Sequence, residues 1–235
     1  MKNFFLQFSS VSLVMLLLAS CANYSISGTT DLQNIDGRKL FLRATQPQSV
    51  VSIDSCDVVH GKFKFSGSLD SIQVVMLCIE DMPVLPVVLE DGTINVLMND
   101  MRQECTGTAL NDSLTSFNNR YAELVSRIED LGHQQNQGYM NGEDMDSLNI
   151  VLQRESEVLT QQEDEMITDF ISQNFDNCLG PYVFQLATSS FKYPMLTPWI
   201  EALMTKATDT FKNSPYVKDY LSVAKENQDI MTGVK

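Results

Sequence analysis

The chain has 235 residues, 43% of them hydrophobic, with 16 Lys and Arg against 30 Asp and Glu and a formal charge of −14. That length and apolar content allow one large or two small domains with real cores. The charge excludes a surface built to hold nucleic acid or anionic lipid headgroups, and an acidic excess of this kind is the ordinary solubilising device of an exported protein.

The first element is an N-terminal signal. Lys2 precedes an apolar run that starts near Phe4 and closes on Leu18-Ala19-Ser20-Cys21. An aliphatic residue, two small ones and a cysteine form a bacterial lipoprotein processing site, so residues 1–20 read as a removed signal peptide and Cys21 as the lipidated first residue. Gln7, Ser9, Ser10 and Ser12 interrupt the run, which falls short of the roughly 20 apolar residues that span a bilayer. Two or more acyl chains on Cys21 would anchor the protein stably where one would be marginal. No lysine-acid-acid export signal follows Cys21, which resembles lipoproteins kept facing the periplasm, and Ala22-Asn23-Tyr24 leaves the choice of membrane open; the expected location is the cell envelope, on the periplasm-facing side of the outer membrane.

Residues 21–108 read as an antiparallel β domain, either a sandwich or a barrel. Short β-branched and alternating runs predict strands over 24–28, 39–44, 49–53, 56–59, 62–66, 71–79, 84–89 and 93–98. His60-Gly61, set between Val58-Val59 and Lys62-Phe63-Lys64-Phe65, predicts a tight hairpin, and Asp36-Gly37 and Asp91-Gly92 predict two more turns. Residues 109–235 read as an all-helical domain. Leu110, Leu114, Phe117, Tyr121, Leu124, Ile128 and Leu131 recur every three or four residues and predict an amphipathic helix. A polar, glycine-containing connector over 132–142 should lead into a second helix, 144–174, with Met145, Leu148, Leu152, Leu159, Met166 and Phe170 on its inner stripe; a break near 160–163 would shorten it. The two should close as a long antiparallel hairpin. Shorter helices are expected over 182–190, from Thr197-Pro198 to Phe211, and from Ser214-Pro215 onward. The tail from Asn227 has little to bury and should be mobile.

No catalytic constellation emerges. Ser55 lacks the G-x-S-x-G elbow, His60 belongs to a turn and His133 to the connector, so neither a hydrolytic triad nor a histidine metal site is expected. The acids around Asp144 fail the calcium-loop pattern, because Leu148 occupies a ligand position. No metal and no cofactor is therefore expected. Beyond Cys21 the cysteines are Cys56, Cys78, Cys105 and Cys178, with no C-x-x-C. Cys78 lies in an apolar run and reads as a buried small hydrophobe, whereas Cys56 and Cys105 are the candidates for a disulfide or redox role. Trp199 reads as a packing residue.

Tyr24-Ser25-Ile26-Ser27-Gly28, Leu40-Phe41-Leu42, Asp54-Ser55, Gly61-Lys62-Phe63-Lys64-Phe65-Ser66-Gly67, Val88-Leu89-Glu90-Asp91-Gly92 and Gly107-Thr108-Ala109-Leu110-Asn111-Asp112, together with the lipobox, carry a resemblance. The chain resembles the uncharacterised N-terminal domain, a domain of unknown function, of Gram-negative lipoproteins of the thioredoxin-like, thiol-disulfide interchange class. The resemblance is close over about residues 24–125 and loose beyond. In that class a thioredoxin domain with W-C-x-x-C follows; this sequence has no such pair, so no redox residue is carried over. The expectation is a non-catalytic, lipid-anchored binding or scaffolding module, touching the membrane through acyl chains and a partner protein through its helical half. The alternative is an accessory factor in periplasmic thiol-disulfide exchange, in which Cys56 or Cys105 cycles with a separate thioredoxin-like partner.

Overall fold

The computed structural model describes residues 23–46 and 49–233, so the signal segment and Cys21 lie outside the described residues. Eight strands come first: β1 (Asn23–Thr30), β2 (Lys39–Gln46), β3 (Ser49–Asp57), β4 (Lys62–Ser68), β5 (Gln73–Ile79), β6 (Met82–Leu89), β7 (Gly92–Met98) and β8 (Gln103–Thr106). They form a sandwich rather than a barrel, with sheet orders β4-β1-β7-β8 and β3-β2-β5-β6. All pairings are antiparallel except β1 with β7, which run parallel from Tyr24 beside Gly92 to Thr30 beside Met98.

Alternation explains how the sheets close. Tyr24, Ile26, Phe63, Phe65, Ile94 and Val96 point inward from one sheet, and Leu40, Leu42, Val75, Leu77, Leu85 and Val87 from the other, into one core. Gly28 and Gly67 stand opposite Phe63 and Tyr24 across the β1–β4 pair, and each aromatic ring lies over its glycine, where a Cβ would collide with it. The aromatic side chain thus covers backbone that the glycine leaves bare.

Three strand expectations change. Residues 49–53 and 56–59 belong largely to one strand, β3, because a register irregularity between Leu42 and Arg43 of β2 absorbs the phase change around Asp54-Ser55. His60 and Gly61 take positive φ, 50° and 69°, and close a Val59–Lys62 bridge, but the turn hands the chain from one sheet to the other instead of joining paired strands. β8 was not signalled by pattern, since Cys105 is its sole buried side chain.

The helices are α1 (Ala109–Asn141), α2 (Met145–Gln173), α3 (Leu179–Thr188), α4 (Pro198–Lys206), α5 (Asp209–Lys212) and α6 (Pro215–Thr232). At 1.5 Å per residue α1 and α2 are about 50 and 44 Å long. They close on Leu124, Leu131, Leu152 and Leu159. The expected connector is helical to Asn141, and the loop shrinks to Gly142–Asp144, where Gly142 (φ 70°) ends α1 and Asp144 caps α2 by accepting from Asp146 N and Ser147 Oγ. α2 is continuous through 160–163. Thr197 and Pro198 start α4 as expected, but the helix stops at Lys206 and α5 follows. The tail continues α6 to Thr232, with Asn227 Nδ2 donating to Pro194 O at 2.8 Å.

Phe175, Phe184, Ile200, Leu203, Phe211, Val217 and Tyr220 build a second core. Val88 of β6 is part of it and Val74 of β5 packs against it, so the helices cover part of the outer face of the second sheet.

Candidate functional site

The densest cluster of buried polar groups sits where the sandwich meets α1. Asn111 is 1% exposed. Its Oδ1 accepts from Val88 N and its Nδ2 donates to Val88 O, both at 2.8 Å. β6 is the last strand of its sheet, and this side-chain amide supplies the paired donor and acceptor that another strand would have offered. The same Nδ2 donates to Thr108 Oγ1 at 2.8 Å. Thr108 is the N-cap residue of α1 but makes no cap hydrogen bond with its side chain. Glu90, at the end of β6, takes over that duty: its Oε1 accepts from Leu110 N (2.9 Å) and Asn111 N (3.1 Å). A carboxylate there satisfies two orphan amides and faces the positive end of the helix.

The neighbouring edge is treated in the same way. β8 ends the other sheet, and Thr115 Oγ1 donates to Cys105 O while accepting from Cys105 N at 3.4 Å. Asp112 accepts from Gly107 N at 2.8 Å. Within two turns, α1 therefore binds the free edges of both sheets. These groups are spent on main-chain hydrogen bonds, and the arrangement is that of a structural latch.

Cys105 belongs to this latch. Its Sγ donates to Asn111 Oδ1 at 3.0 Å, and burial, with Asp112 and Glu90 adding, pushes its thiol up to about 12. Cys56 lies on β3 opposite Leu40, half-buried, its thiol pushed up to about 11 by burial. The two candidates thus stand in different sheets, and both are free thiols. Cys78 is buried and Cys178 half-buried; both are free, and burial raises both, Cys178 to about 11. Thiols held neutral react slowly, since the thiolate is the nucleophile.

His60 sits in the sheet-crossing turn and His133 on the exposed side of α1. Trp199 packs along Phe184 and donates from Nε1 to Thr168 Oγ1 at 2.7 Å. Among the described residues no group of three or more His, Cys, Asp or Glu side chains is placed to hold a metal ion, and no helix is long and apolar enough to cross a membrane. Sequence reasoning missed the latch, since Asn111 enters it only within the Gly107–Asp112 run that carries the resemblance. The signal was there in Glu90 and in the Gly107–Asp112 run, but neither shows by spacing that they meet.

No curated protein and no solved structure matches the chain. Residues 24–114, from the first buried ring of the sandwich to the leucine just past the Asn111 latch, match the family described as Domain of unknown function (DUF4369).

Proposed function

We propose that the chain is a lipid-anchored protein of the cell envelope that binds or scaffolds a partner protein and carries out no chemistry of its own. Acylation falls on Cys21, the sandwich is the platform, and the helical half offers the binding surface. The observation that carries this reading is the division of labour among side chains. The buried polar groups and thiols are spent on holding the fold, while the α1–α2 hairpin shows solvent Tyr139, Met140, Ile150 and Val151, exposed by 75, 83, 61 and 56%. Kinship with the N-terminal part of thiol-disulfide interchange lipoproteins, on the periplasmic side of the outer membrane, belongs to the same proposal.

Two measurements test it. Mass spectrometry of the chain made in a Gram-negative host should show loss of residues 1–20 and a diacylglyceryl group on Cys21, both abolished by Cys21→Ala. A photo-crosslinking residue at Tyr139 or Val151 should trap one defined protein, and the same residue at His60 should not; turnover of a substrate by the purified protein would remove the reading. The accessory redox role is favoured by one observation, the free, half-exposed state of Cys56. Rapid alkylation of Cys56 in the folded protein at neutral pH would bring that role forward.

A further inference from the structure

We propose that the end of the sandwich at which β1 begins is a membrane-contact face, seated at the lipid headgroups through Val50, Val51 and Ile72, and that the α1–α2 hairpin consequently points away from the bilayer. This rests on acylation of Cys21. Cys21 precedes Asn23, the first residue of β1, by two positions. Two residues reach about 7 Å when fully extended, and each headgroup layer is about 5–7 Å thick. An acylated Cys21 therefore leaves no tether long enough to lift the sandwich clear of the surface.

The strand register identifies the end that is held down. Asn23 pairs with Ser68 and its N–H donates to Asp91 Oδ1 at 3.1 Å, and Tyr24 lies beside Gly92. β5 opens at this end, with Gln73 opposite Leu89. The antiparallel β2–β5 register, from Leu40 opposite Ile79 to Arg43 opposite Met76, carries the end of β2 and the start of β3 to the same end. Val50, Val51 and Ile72, exposed by 63, 40 and 53%, are thus gathered round the anchor point.

The cations of the sandwich divide the same way. Among the described residues 45–51, 66–73, 89–93 and 106–112 there is no Lys or Arg, and the acids are Asp70, Glu90, Asp91 and Asp112. The opposite end carries Asp31, Asp36, Arg38, Glu80, Asp81 and Arg102. Strand ends and loops of the sandwich that carry apolar side chains, four acids and no cation suit a zwitterionic surface, and anionic lipid should not strengthen their contact.

The helix direction then follows. α1 starts beside Gly92, and its successive contacts move away from the anchor: Asn111 at Val88, Thr115 at Cys105 (opposite Val96), Asn119 at Glu104 (opposite Leu97). From Asn119 to Asn141 the helix runs on for about 33 Å, which carries Tyr139 and Met140 away from the membrane.

The test uses the acylated full chain in phosphatidylcholine vesicles whose acyl chains are brominated, with Trp199 kept as the common baseline. Both Ile72→Trp and Tyr139→Trp replace exposed side chains. Ile72→Trp should add emission that brominated lipid removes, and Tyr139→Trp should add emission that it leaves. Replacing part of the phosphatidylcholine by phosphatidylglycerol should not increase the Ile72→Trp loss. An acylated protein whose added Ile72→Trp emission survives, or whose Tyr139→Trp emission is lost, overturns the orientation alone. A chain whose mass shows no acyl group overturns the lipid reading and the orientation with it.

Discussion

At the scale of single residues, Asn111 has the largest structural consequence. Asn111→Ala would leave Val88 N–H and C=O unpaired at a buried edge, so a loss of about 2–4 kcal/mol is expected in urea unfolding. Asn119→Ala, one exposed 3.4 Å contact farther along the helix, should stay within about 0.5 kcal/mol. The thiols give a pH prediction. Cys56, Cys105 and Cys178 are pushed up in the fold to about 11, 12 and 11 from an ordinary 9.0. The folded state then holds protons that the unfolded state releases, so stability is fully present below about pH 9 and falls as pH rises toward 12. Urea midpoints measured between pH 7 and 10.5 should fall above pH 9, and Cys105→Val should flatten part of the slope. Cysteine count and the burial of Cys78 could be read from sequence, but the neutrality of Cys56 and Cys105 could not, because it depends on what covers them.

At the scale of elements, the helical pattern was the most readable part. The stripe from Leu110 to Leu131 lies on the inner side of α1, with none of the seven exposed. A glycine in a polar stretch does not by itself end a helix. Gly132 lies inside α1 with nothing near the position of a Cβ, so it contributes only a helix penalty. Gly132→Ala should raise stability by up to about 1 kcal/mol, visible as a higher Tm. Gly138, six residues on, lies against Leu148 of α2, where a Cβ would collide. Gly138→Ala should therefore lower the Tm although both changes favour helix locally. Strand existence followed the alternation, but strand partners did not. A period of two says which face is buried and not which strand lies alongside, so β1 between β4 and β7 and the polar strand β8 both lay beyond pattern.

At the scale of the molecule, the two halves share material. Val88 belongs to the helical core although it lies on a strand, and Asn111 belongs to a helix although it completes a sheet edge. Unfolding followed by Trp199 emission in the helices and by far-UV signal from the strands should therefore give coincident transitions; two separated midpoints would show that the junction does not couple them. The order of an antiparallel β half followed by a helical hairpin was legible from composition and period, whereas the choice of sandwich over barrel came from the structure. The coupling was not, since it depends on where Glu90 and Asn111 meet in space.

The parallel pairing of β1 with β7 also imposes an order of assembly. β1 fills the middle of its sheet, yet the partner on one side arrives some seventy residues after it in the chain. Loop closure of that length comes before the contact repays it, so completion of this sheet is the slow, non-local event of folding. During synthesis the first strand of the fold to emerge is the one that must wait, with Tyr24 and Ile26 still wet and the backbone of β1 open to any passing strand. The window closes only when Gly92 to Met98 has followed, and a chaperone that recognises short apolar strands would find its most durable target in the first eight residues of the domain.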